Sequence, residues 1–172
     1  MVPFLLAIVL GASIGPRSLP LSSAPHTVTS QTQLKLVRSV GGRTVADRYD
    51  DGMAMLNAQN ARRASKGLPP LQLDPSLTEL AFEHAADMAV RSYFDHSTPE
   101  GVSPFDRMSQ AHIPFGYAGE NLALDRSTSA AELALWQSPE HRDNILGPHY
   151  AKVGIAVVAS TAGLIIVEDF TD

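Results

Sequence analysis

The chain has 172 residues, 44% of them hydrophobic, and a formal charge of −5, which suits one globular domain plus some additional sequence. The charge is uneven: residues 1–50 carry five basic and two acidic side chains, residues 51–172 eight and sixteen. An acidic body without a basic run excludes nucleic acid as a partner, because that binding rests on neutralising phosphates; the absence of cysteine excludes thiol catalysis, thiolate metal ligation and disulfides.

Val2 to Ile14 is almost wholly apolar, broken only by Pro3, Gly11 and Ser13. It is shorter than the roughly 20 apolar residues of a membrane span and suits the apolar core of a secretory signal. No Lys or Arg precedes it, so its positive end is the α-amine alone; a buried N-terminal strand is the other reading. Residues 1–24 are read as a signal peptide, with cleavage after Ala12 or Ala24, Pro25 weighing against the second. No transmembrane anchor is expected after its removal. From Pro16 to about Arg48 the composition is Ser, Thr, Pro, Gln and Gly with few large apolar residues, and residues 25–49 read as a linker or loosely ordered arm. Only Leu34 to Val37 offers a short strand there. The folded domain is expected over 50–172.

Met53, Leu56, Asn60 and Ala64 recur at helical spacing, and Gly67 with Pro69-Pro70 stops that helix. Leu71 to Leu73 is an extended bridge. Asp74-Pro75 opens a second helix, with Asp as cap and Pro at the first helical position. Leu77, Leu80, Ala81, Ala85 and Met88 form its apolar face, and His84 falls among them as a core histidine bonded to backbone. The helix should end near Ser92, sending Tyr93 and Phe94 into the core and His96 into a turn. Ser103-Pro104 starts a short third helix, with Asp106 and Arg107 as a helix-start pair. Glu120 to Leu124 reads as a strand. Thr128 to Gln137 reads as a fourth helix with Leu133 and Trp136 inward, and Ser138-Pro139 restarts helix through Leu146. Lys152 to Ala159 and Leu164 to Phe170 are strands around a Ser160–Gly163 hairpin turn. Hairpin-connected strands flanked by helices make the fold class α+β with an antiparallel sheet.

Three stretches carry chemistry: Phe94-Asp95-His96-Ser97-Thr98-Pro99-Glu100-Gly101, Gly119-Glu120-Asn121-Leu122-Ala123, and Trp136-Gln137-Ser138-Pro139-Glu140-His141-Arg142-Asp143-Asn144. His96, Glu120 and His141 lie 24 and 21 residues apart, so only a fold could bring them together. His112 and His149, beside proline-containing turns, read as surface residues. Trp136 and Tyr117 read as core rather than cleft.

In order and spacing, from about Met53 to Phe170, these stretches resemble the bacterial branch of the CAP superfamily, also called the SCP-like extracellular domain. Its members include plant pathogenesis-related proteins of group 1, cysteine-rich secretory proteins and insect venom antigens. The resemblance implies an α-β-α sandwich of three layers. It also implies a cleft shared by His96, Glu120, His141 and a second glutamate, in which the two histidines can hold a divalent metal, often zinc. That second glutamate usually follows the helix tryptophan by three residues, where this chain has Pro139; Glu140 and Glu132 are nearby but out of position. Zinc on His96 and His141 alone would be weakly held and released below roughly pH 6. The alternative is a metal-free His-Glu-His cluster.

Two functions follow from these residues. One is a secreted or periplasmic binding module for a small lipid- or sterol-like ligand or an extracellular protein. The other is a zinc-dependent hydrolase with Glu120 as general base. No His-Glu-x-x-His helix or Gly-x-Ser-x-Gly elbow supports the second, and nothing patterned exposes Ser97 as a nucleophile.

Overall fold

The computed structural model describes residues 36–40 and 42–172. The chain divides into units 1–31 and 32–172, and the fold is that of the second. The expected signal peptide and the first part of the expected arm lie outside the described residues.

The first elements correct the expected arm. Leu36–Val40 (β1) and Arg43–Asp47 (β2) form an antiparallel hairpin turned at Gly42, whose φ of +75° suits a residue without Cβ. β2 continues into the sheet through Asp47 opposite Val158. The hairpin is held to the body by contacts outside itself. Val45 is buried in the core, and the Arg38 guanidinium lies 3.9 Å from the ring centre of Phe82 while pairing with Glu79.

Helix α1 is Tyr49–Ser65, β3 is Gln72–Leu73, α2 is Pro75–Arg91 and α3 is Pro104–Gln110. Then follow β4 (Ala118–Asp125), α4 (Thr128–Gln137), α5 (Pro139–Ile145), β5 (Lys152–Ala159) and β6 (Leu164–Thr171). The strand order is β1-β2-β5-β6-β4, antiparallel along that path, with β3 pairing β5 in parallel. β4 is therefore an edge strand.

Side-chain alternation sorts the strands into two cores. Val153, Ile155 and Val157 of β5 and Leu164, Ile166 and Phe170 of β6 pack with Met55 and Leu56 of α1, Ala131 and Leu135 of α4, and Ile145 of α5. On the other face, Ala156, Val158, Ile165, Val167 and Leu122 meet Ala81, Phe82, Ala85 and Met88 of α2. This is the expected α-β-α sandwich. α2 approaches so closely that a Cβ at Gly154 would stand 2.1 Å from the carbonyl carbon of Leu77.

Helix starts follow the expected chemistry. The Asp74 side chain accepts from the N–H groups of Ser76 and Leu77, and Ser103 and Asp106 close a reciprocal capping box. Ser138 stands at the corresponding place before Pro139, but its hydroxyl donates to Glu140 instead of accepting from backbone. Burial departs from expectation at several points. The buried stripe of α1 is Gly52, Met55, Leu56, Gln59 and Arg63, so Asn60 and Ala64 are rotated out of the core. Polar groups win those places by bonding: Arg63 donates to the carbonyls of Pro69, Ile145, Gly147 and Tyr150 at 2.8–3.1 Å. Leu133 is exposed, its inward place being filled by Ala131 and Leu135, and Phe94 and Tyr117 are exposed as well. Trp136 is half-buried, with the guanidinium carbons of Arg62 and Arg142 at 4.3 and 5.9 Å from its ring centre.

Candidate functional site

The two-residue period of β4 turns Glu120 and Leu122 toward α2 and α3, and Gly119 and Asn121 toward α5. Helix α2 ends at Ser92 in a left-handed conformation (φ 60°, ψ 47°) that turns the chain out of the helix. Four residues later His96 comes to lie over Glu120. Its Nδ1–H donates to Glu120 Oε1 at 2.7 Å. Arg107 of α3 donates from Nη2 to Glu120 Oε2, and from Nη1 to the carbonyl of His96 at 2.8 Å. One guanidinium thus fixes both the carboxylate and the backbone of the histidine it serves. The Glu120 side chain is 2% exposed and that of His96 51%, so a buried carboxylate orients a half-exposed imidazole whose Nε2 is left for a ligand.

His141 arrives from the other face. The Asn121 amide donates to the His141 carbonyl at 3.1 Å and to Glu168 Oε2 at 3.0 Å, while its oxygen accepts from Asn144 at 2.9 Å. Asn144 also donates to the Glu120 carbonyl at 3.4 Å. The Gly-Glu-Asn stretch therefore works on both sides of one strand, its Glu holding the first histidine and its Asn the helix of the second. Electrostatics connects the imidazoles across the strand. The hydrogen bond to Glu120 raises the His96 pKa above its ordinary value. Burial, and after it the charge of His96, lowers that of His141.

The other expected residues fall as follows. His84 is a core histidine whose Nε2 donates to the Asp95 carbonyl at 3.0 Å, and burial pushes its pKa down. Asp106 is the helix-start residue expected, but Arg107 belongs to the site; its partner is on a strand, so no local spacing signalled it. Of the substitute carboxylates, Glu132 pairs with Arg62, and Glu140 accepts from Ser138 while its charge acts on His141. His112 and His149 are exposed, with His149 stacked on Tyr117 at 4.3 Å between ring centres.

For zinc, the chain offers His96 Nε2 and the His141 imidazole, with Glu120 behind His96 fixing its tautomer as carboxylates do behind metal-bound histidines. That donor chemistry fits an ion held by two protein ligands and water. Among the described residues no group of three or more His, Cys, Asp or Glu is arranged to hold a metal.

Known proteins share this architecture. Residues 56–170 match the model of the family described as "CAP: Cysteine-rich secretory protein family". The chain is 40% identical over 102 residues to the uncharacterized Bacillus subtilis protein YkwD and 34% identical over 104 residues to the uncharacterized Bacillus subtilis membrane protein YlbC. Those matches take in 59% and 60% of this chain but only 40% and 30% of the relatives' lengths. Among solved structures, it is similar to an extracellular protein containing an SCP domain from Bacillus anthracis (TM-score 0.63, 26% identity, 72% of this chain and 40% of the other). The fold is also that of an outer surface protein from Borrelia burgdorferi (TM-score 0.69, 22% identity, 74% of this chain and 96% of the other). By sequence and by fold the chain belongs to the CAP family, as a member without a single cysteine.

Proposed function

We propose that the protein is exported and acts as a non-enzymatic binding module, its ligand held at the cleft between His96 and His141. The observation that carries this reading is the condition of Glu120, a carboxylate with one oxygen on His96, the other on Arg107, and almost no solvent exposure. A general base must reach the proton it removes. Glu120 is instead arranged to hold an imidazole, which weighs against the hydrolase. The proposed ligand is a small lipid- or sterol-like molecule or an extracellular protein, contacted by His96 Nε2 and His141. Zinc, when bound on these two imidazoles, would supply a Lewis acid for a ligand oxygen.

Export is supported by the similar proteins, one described as extracellular and one as an outer surface protein. The signal over residues 1–24 is part of the same proposal. Among the described residues no helix is long and apolar enough to cross a membrane.

Two measurements on the full chain test the reading. A panel of peptide, ester and glycan substrates should show no turnover by folded protein; turnover lost in Glu120→Gln would establish the hydrolase instead. Calorimetric titration with zinc at about pH 7.5, roughly one unit above the ordinary histidine value, should show weak uptake abolished by His96→Ala and by His141→Ala. Uptake unchanged in both variants would end the metal site.

A further inference from the structure

Beneath the cleft lies a carboxyl that the grip on His96 does not use. Asp169 stands directly opposite Glu120 on the neighbouring strand, and the strand period turns both toward the face covered by α2 and α3. Asp169 is 0% exposed, and no donor reaches either of its oxygens. The group it meets is the Glu120 carboxyl itself. Two ionised carboxylates cannot share a dry site, and a buried ion without a partner costs several kcal/mol.

The surrounding groups show where a proton must sit. From α3, Arg107 spends Nη2 on Glu120 and Nη1 on the carbonyls of His96 and Val102, and its Nε has no partner. From α2, His84, whose burial favours the neutral ring, donates through Nε2 to the Asp95 carbonyl, which leaves its buried Nδ1 with a lone pair. From β5, the residue opposite Asp169 is Gly154, which brings no charge. His96 donates to Glu120. Glu120 therefore receives two N–H donors and Asp169 none.

We infer that Asp169 is carried as the neutral acid at neutral pH and donates a hydrogen bond to the Glu120 carboxylate, so that the two carboxyls share one proton and together position His96. The proton stays on Asp169 and Glu120 keeps its charge for His96 and Arg107. Burial, followed by the nearby Glu120 charge, raises the Asp169 pKa well above the ordinary carboxyl value against the opposing charge of Arg107, in the same direction as the geometry. Asp169 is a positioning residue, acting on the cleft through Glu120, whatever the cleft binds.

The test follows the Asp169 side-chain carbon by NMR in the full chain from about pH 4 to about pH 8, across the range where ordinary aspartates have ionised. Its shift should stay at the protonated position through neutrality. In parallel, D169N keeps an N–H donor toward Glu120. An acid whose pKa is raised by folding loses stability as pH rises above its unfolded value. The thermal midpoint of D169N relative to the wild type should therefore climb between those limits. An Asp169 signal that ionises with the exposed aspartates overturns the inference, as does a D169N midpoint that falls relative to the wild type over the same interval. If D169N does not fold, the wild-type carboxyl titration decides alone.

Discussion

Glu168 and Asp169 follow one another on β6 and turn to opposite faces of the sheet, each a carboxyl shut away from water. Glu168 accepts from the side-chain amides of Gln59 and Asn121, yet burial still pushes its pKa up to about 7. Because the folded value lies above the unfolded one, Glu168 costs stability progressively as pH rises from the ordinary carboxylate range through about 7. The full effect is about 3 kcal/mol, since each tenfold change in proton affinity is worth roughly 1.4 kcal/mol. Glu168→Gln should remove most of that slope. Both Glu168 oxygens accept from amide nitrogens, so the new amide needs the Gln59 side chain turned over; the Gln59 oxygen, which has no partner in the wild type, then accepts from it, and the variant is expected to fold. Urea unfolding at about pH 5 and about pH 8 checks this; equal losses of stability in wild type and variant across that interval would refute it. None of these burials is legible in the sequence. Val167-Glu168-Asp169-Phe170 reads as a strand with a polar end, and only the pairing with β4 shows that the polar residues face Glu120 and Asn121.

At the scale of elements, the legible parts are those fixed by local chemistry. Asp74-Pro75 and Ser103-Pro104 start helices because a side-chain acceptor and a missing N–H suit those positions in any context. Of the β1–β2 hairpin only the start of β1 is legible, within the expected Leu34 to Val37 strand; the rest is held by contacts with α2, more than thirty residues away in sequence. The α1 stripe reads one position off because Gln59 and Arg63 are buried by distant hydrogen bonds that no periodicity of apolar residues records. Gly154 is the contact on which α2, and through it His96, is seated. Gly154→Ala would drive a methyl group into the Leu77 backbone. It should cost about 1–3 kcal/mol, in the range for overpacking, and lower the thermal midpoint. A midpoint equal to the wild type would mean that α2 sits more loosely on β5 than this contact implies.

Over the whole molecule, the edge strand β4 gathers the site. α2 delivers one histidine over the strand, α5 delivers the other beneath it, and Glu120 and Asn121, adjacent in sequence, serve opposite faces. The three residues of the proposed site, with Asn144, stand in the motif stretches, but the rest of their support is not legible there, because Arg107, Glu168 and Asp169 come from other places in the chain. The direct test of this arrangement is an NMR pH titration of both histidines. His96 should titrate above the ordinary value of 6.5 and fall toward it in Glu120→Gln. His141 should titrate below that value and rise part of the way back in His96→Ala, burial holding the remainder. A His96 midpoint indifferent to Glu120, together with a His141 midpoint indifferent to His96, would contradict a shared cleft.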